Sequence, residues 1–155
     1  MIIAIILLCV AGLINLVKKD IWDVNTKLLK KEVLSIGQSV ENVSLLDLTP
    51  FVWDIAYSFD PYTPKESIYE IVGYKWNNIS ETVSEGMNQI VFLKDGKVVC
   101  YLYGYPENNG FGINFSNENK PGAASASVLN YKDDLTFQVI RINNVIYLSN
   151  ATESE

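Results

Sequence analysis

Seventeen residues without a charge, Met1 to Val17, open the chain and run straight into Lys18-Lys19. A helix needs roughly 20 apolar residues, and at least about 17, to cross the hydrocarbon core of a bilayer. The pattern therefore predicts an N-terminal transmembrane anchor over residues 1–17. The period then becomes helical and two-faced. Ile21, Val24, Leu28, Leu29, Val33 and Ile36 recur at helical spacing, while Lys27, Lys30 and Lys31 take the other face. This predicts a basic juxtamembrane helix over 18–37, continuing the anchor or lying on the headgroups, with Gly37 as its stop. Residues 38–50 are polar and read as a linker.

The pattern from residue 51 onward predicts strands around one helix. Phe51–Phe59 (FVWDIAYSF) has strand composition. Thr63, Pro64 and Glu66 spell a capping box, followed by an apolar face of Ile68, Ile71 and Val72 and a stop at Gly73. A second short helix is expected over Ile79–Glu85. Gln89–Lys94 and Lys97–Tyr105 form a hairpin around Asp95-Gly96, a pair suited to a type I′ turn, which sets Leu93 opposite Val98 and Val91 opposite Cys100. Both arms are apolar on both faces, as in a central pair covered by a helix. Pro106–Gly110 reads as a loop, Phe111 to Phe115 as a strand and residues 116–130 as a small, polar loop. A second hairpin turns at Asn143-Asn144 between Leu135–Ile142 and Val145–Leu148. The expected fold is α+β: an antiparallel sheet of about five strands with the Thr63–Val72 helix on one face, spanning 51–149 and preceded by the membrane helix. Residues 150–155 are expected to be a disordered tail.

Composition narrows the chemistry. Residues 18–31 carry five Lys and two Asp, whereas 32–155 carry seven basic and sixteen acidic side chains. A basic collar suits anionic headgroups, and the acidic body repels nucleic-acid phosphates. By the positive-inside rule the lysine flank holds the domain in the cytoplasm. The domain is extracytoplasmic if a basic start is missing or the segment is an export signal. Such a signal wants a basic n-region and a small-x-small site. Only Met1 precedes Ile2, and cutting after Ala11 leaves LINLV on the product. Leu8 is too bulky for a lipobox before Cys9.

The chain has no histidine, which removes Ser-His-Asp and Cys-His nucleophile pairs and His-ligated metals. No cofactor or metal site is expected. Cys100, inside VVCYLY, reads as a buried small hydrophobe. Asn, Lys and Ile are abundant and Arg141 is the one arginine, a bias typical of AT-rich genomes. The N-x-S/T sequons at Asn42, Asn78, Asn114 and Asn150 share no flanking sequence and read as chance.

Two sets of side chains offer a site. Asp54 and Asp60 stand beside aromatic residues, and Glu66 and Glu70 are one helical turn apart. A carboxylate pair serves as general acid and base, yet Glu66, Glu70 and Asp60 all have structural explanations in a cap, a helix face and a turn. Asp54 alone has none. Tyr101, Tyr103 and Tyr105 alternate on one strand and share a face. With Trp53, Asp54 and Tyr57 they form the candidate ligand-binding set, set against the plainer reading of rings packed beneath the helix as core.

The Trp53–Gly73 series (WD–F–PYT–EI–G) and IVFLKDGKVVCYLYGYP over Ile90–Pro106 resemble a group of small, uncharacterised membrane-anchored proteins from low-GC Gram-positive bacteria. The resemblance implies a bacterial, single-pass membrane protein and carries with it no activity, ligand or catalytic residue. Two functions are weighed: a membrane-anchored, non-enzymatic binding module with a protein or peptide partner, and a carboxylate-only hydrolase acting on cell-envelope glycans through Asp54.

Overall fold

The computed structural model describes residues 20–116 and 126–150. The expected anchor over 1–17 and the tail after Asn150 lie outside the described residues, as do residues 117–125 of the expected loop. Among the described residues, no helix is long and apolar enough to cross a membrane.

The fold is α+β, but the described residues form eight strands in two sheets rather than about five in one. In chain order the elements are α1 (Ile21–Leu34), β1 (Asn42–Ser44), α2 (Leu45–Leu48), β2 (Ile55–Phe59), α3 (Lys65–Val72), β3 (Asn88–Lys94), β4 (Lys97–Gly104), α4 (Pro106–Asn109), β5 (Phe111–Asn114), β6 (Ala126–Asn130), β7 (Thr136–Ile142) and β8 (Val145–Ser149). One sheet runs β4-β3-β2-β6, and the other β1-β7-β8-β5. All pairings are antiparallel except β5 with β8.

The doubly apolar β3 and β4 explain the layering. Alternate side chains of a strand point to opposite faces. Ile90, Phe92, Cys100 and Leu102 meet Phe111, Ile113, Phe137, Val139 and Leu148 of the second sheet in the main core. Val91, Leu93, Val98 and Tyr101 face the other way, onto Ile68 and Val72 of α3 and onto Ile79. The expected helix covers one face and a whole second sheet covers the other. Tyr101 and Leu102 are accordingly both buried.

Both predicted hairpin turns form. Asp95 and Gly96 have φ of 48° and 70°, and Asn143 and Asn144 of 50° and 65°, as a type I′ turn requires. Leu93 pairs with Val98 as expected, but Val91 pairs with Tyr101, not Cys100. A β-bulge at Val99 inserts the extra residue. It puts Val98 and Tyr101 on one face, with Cys100 and Leu102 on the other.

Helix α1 is part of this domain. It lies beside the open edge of β4, where the Asn25 side chain donates to Val99 O at 2.8 Å and Tyr101 N donates to the Thr26 hydroxyl at 3.1 Å. Leu29 and Val33 are fully buried in the main core. The helix ends at Ser35 in ordinary αR geometry, so Gly37 is not its left-handed stop. The stretch read as a linker carries β1 and α2, because Val43 pairs with Phe137 and Leu45 and Leu48 are buried.

Other local departures have simple causes. Pro64 sits extended (ψ 147°) as the N-cap, so α3 starts at Lys65 and the Thr63/Glu66 box is one residue out of step. The Thr63 hydroxyl donates to Asp60 O instead, and Lys65 N donates to Glu81 Oε1 at 3.0 Å. Gly73 (φ 89°) does close the helix. No second helix forms over 79–85. Pro106–Asn109 is one helical turn rather than a loop. Residues 126–130, expected in the polar loop, pair with β2 along its whole length.

Candidate functional site

The six candidate residues divide between the faces and the two ends of the β4-β3-β2-β6 sheet. Tyr57, Tyr101 and Tyr103 lie on the α3 side. Tyr101 is 6 % exposed, stacks on Tyr103 at 5.7 Å and takes the edge of Trp76 at 5.3 Å. Its hydroxyl accepts from Ser80 N at 3.2 Å and from the Gln89 side chain at 3.1 Å. Tyr103 donates to Glu81 O at 2.8 Å. Tyr101 and Tyr103 are the floor on which Trp76, Ser80 and Glu81 rest, so Tyr101 is core rather than the wall of an open groove, and Tyr57 is half-buried beside them. Burial pushes the Tyr101 and Tyr57 phenols above their ordinary range. Tyr105 stands apart at the end of β4, 37 % exposed, with its ring against Gly86.

Trp53 and Asp54 occupy the other end of the sheet. Trp53 is buried in the core between the sheets, its indole edge-on to Phe92 at 5.3 Å, and its Nε1 donates to the Thr49 hydroxyl at 3.0 Å. Asp54 follows it out of the core and has a structural role that the sequence did not show. One carboxylate oxygen accepts from Lys94 Nζ at 2.8 Å and the other from Asp95 N at 2.8 Å, which ties β2 to the β3–β4 turn. The Lys94 ammonium first, and the Asp95 amide second, hold this carboxyl below the usual carboxylate range. It is a fixed negative charge, unlike a general acid, which needs a raised pKa.

These residues border a cleft of about 430 Å³, lined by Leu46, Thr49, Phe51, Val52, Trp53, Asp54, Lys94 and Tyr131, a volume in the range of small-ligand sites. Registers locate it. Val98, Leu93, Ile55 and Asn130 stand in one row across the four strands. One step beyond that row come Lys97, Lys94, Asp54 and Tyr131, with Tyr131 N donating to Asp54 O at 2.9 Å. The cleft thus opens past the strand ends. Tyr131, Val52 and Leu46 expose 51 %, 69 % and 38 % of their surface at its rim, and the Tyr131 ring stands edge-on to Trp53 at 6.0 Å. Among the described residues Asp54 is the single carboxylate in the lining, and Asp95 stands just outside it with its carboxylate 3.5 Å from Lys94 Nζ. Asp60, Glu66 and Glu70 are exposed elsewhere and do not converge on it.

Sequence reasoning missed Lys94, Tyr131, Phe51, Leu46 and Val52. The one usable signal was the position of Lys94 beside the Asp95-Gly96 turn. A second cleft, of about 480 Å³, lies between the end of α1 and the β7–β8 turn, lined by Leu34, Gln38, Arg141, Asn143, Asn144, Val145 and Ile146. Its one charged group is engaged, since the Arg141 guanidinium donates to Gly37 O at 2.7 Å and Val40 O at 3.1 Å.

Among the described residues, no group of three or more acids and cysteines is placed to hold a metal ion. Cys100 is fully buried, and burial raises its thiol to about 12, so it is no nucleophile at neutral pH. No family model matches the chain, and neither a curated protein nor a solved structure is similar to it.

Proposed function

We propose that this chain is a membrane-held, non-enzymatic binding module whose ligand sits in the cleft at Trp53, Asp54, Lys94 and Tyr131. The observation that carries the reading is the state of Asp54: an ionised carboxylate tied to Lys94, which the Asp95 carboxylate also meets at 3.5 Å, at the mouth of an aromatic-walled cleft. A glycan hydrolase of the two-carboxylate kind needs its acids on either side of the scissile bond, whereas Asp54 and its neighbour Asp95 both close on the Lys94 ammonium, which fills the space between them. The membrane part of the reading is supported by the uncharged stretch 1–17 and the lysines after it.

Two measurements test this. The full chain should sediment with membranes and resist high-salt extraction, and deletion of residues 1–17 should release it. A processed, freely secreted product would overturn the anchoring. Incubated with cell-envelope glycan fragments, the full chain should yield no product. A turnover abolished by Asp54→Asn with the fold intact would replace the binding reading with the hydrolase.

A further inference from the structure

The start of α1 and the cleft belong to the same end of the molecule. α1 runs alongside β4 in the same direction: Asn25 bonds Val99, Thr26 bonds Tyr101, and Leu34 reaches the position a Cβ on Gly110 would take, 3.2 Å away. The start of α1 therefore lies at the β3–β4 turn end of the sheet, with the row Lys97, Lys94, Asp54 and Tyr131. Trp22, in its first turn, meets Trp76 edge-on at 5.3 Å. Three residues, 18–20, separate Val17 from Ile21 and reach at most about 10 Å when fully extended. A domain of this size has a radius of gyration of about 14 Å. A tether shorter than the body it holds cannot let that body turn its far end to the bilayer.

We infer, building on the membrane-held reading above, that the turn end of the β4-β3-β2-β6 sheet rests on the bilayer and that the cleft takes the zwitterionic headgroup of a membrane phospholipid. The charges at the cleft are complementary to such a headgroup. Asp54 and Lys94 are paired at 2.8 Å with their side chains 47 % and 35 % exposed, so an ammonium can meet the carboxylate while the phosphate meets the lysine. The tyrosine and indole walls suit the alkylammonium. Val52, Leu46 and Ile21, all exposed, are placed to enter the interfacial layer, where amphipathic rings such as Trp22 and Tyr131 also concentrate. At this turn Asp54 and Asp95, both on Lys94, are balanced by Lys94 and the exposed Lys97, so the contact calls for a zwitterion rather than a purely anionic lipid.

The test uses the full chain with Cys9→Ser, reconstituted in nanodiscs of equal parts phosphatidylethanolamine and phosphatidylglycerol. The discs are doped with phosphatidylcholine carrying a nitroxide on its choline. Single fluorophores go on Lys97→Cys, Lys132→Cys and, at the opposite end, Asn108→Cys. All three native positions are exposed, and buried Cys100 stays unlabelled. Quenching should be at least about threefold stronger at 97 and 132 than at 108. The Asp54→Asn, Lys94→Gln double variant retains an acceptor for Asp95 N. It should lose about half or more of the quenching at 132 without leaving the discs. A chain that does not stay with the discs overturns the membrane-held reading itself. A chain that stays while 108 is quenched as strongly as 97 and 132, or while none is quenched, refutes the docking and leaves that reading standing. A gradient that survives the double variant unchanged refutes the headgroup seat alone.

Discussion

The two faces of the β4-β3-β2-β6 sheet are covered by different means. On one side the cover is another sheet, and the contact is a continuous apolar layer running from Leu29 of α1 through Phe92 to Phe137 and Leu148. On the other side lie a helix of eight residues and the irregular segment 73–87. Here phenol hydroxyls and a buried glutamine hold the cover in place: Tyr101 to Ser80, Tyr103 to Glu81, Tyr74 to Val98, and Gln89 to the Ser80 carbonyl. The first face is held by area and the second by area plus a few directed bonds. Area is lost gradually as atoms are removed, whereas a directed bond between two groups is lost in one step.

The largest effect that would break this contrast comes from α1, which serves both faces. Deleting residues 20–35 strips Leu29 and Val33 from the main core and leaves the β4 edge without Asn25 and Thr26. Expression of 36–150 should give no cooperative thermal transition, and a normal one would show α1 to be an accessory. Next come two neighbours on one strand. Phe92→Ala should cost about 3–5 kcal/mol through transfer and cavity terms. Val91→Ala, which faces α3, should cost about 2 kcal/mol at roughly 0.8 kcal/mol per buried carbon. Urea unfolding of both variants measures the pair, and equal losses would erase the distinction between the faces.

A smaller change sharpens it. Tyr103→Phe removes one hydroxyl from a bond to a loop carbonyl, a net loss of about 1 kcal/mol. Its signature should be local: faster hydrogen exchange over residues 79–83 with the main core unaffected. The smallest expected effect lies at the end of the sheet, where the faces meet. Asp54 has its pKa lowered from 3.8 by Lys94 and the Asp95 amide. The pairing therefore adds stability above the unfolded value and loses it as pH falls through the lower folded one. Because the carboxylate is about half exposed, solvent screens the pair. Comparing thermal midpoints at about pH 5 and about pH 3, Asp54→Asn should show a shallower decline than the parent. An identical decline would mean that the ion pair contributes nothing to folding.

Both hairpins were legible in the sequence because their signal is local: two turn residues between β-rich arms. So was the double burial of β3 and β4. The second sheet was not, because β1 pairs with β7 across more than ninety residues and β5 pairs with β8 in parallel, and neither contact leaves a short-range mark. The strand at 126–130 was missed for a different reason. Its residues, ASVLN, are mostly small and lie at an edge of the sheet, where little bulk is needed. In α1 the apolar spacing was read correctly, but Asn25, on the same face as Leu29 and Val33, is 5 % exposed, and its polarity concealed its place against a strand. At the candidate site, Trp53 and Asp54 were named from sequence. Lys94 and Tyr131 were not, because forty and seventy-eight residues separate them from Asp54 and Trp53, and only the fold brings them together.

The seating of α1 on β4 has a mechanical side. Any pull transmitted through residues 1–19 enters the domain at Ile21 and is carried by the helix lying along the strand. Since helix and strand run the same way, the load acts partly along their shared axis, shearing the Asn25–Val99 and Thr26–Tyr101 bonds together. Leu29 and Val33, wedged between the sheets, act as the stop behind them. The weak point under tension is therefore the short amide and hydroxyl seam at the first two turns of the helix. If that seam parts, the outer backbone of β4 becomes a free rail, open to pairing with whatever extended chain lies nearby.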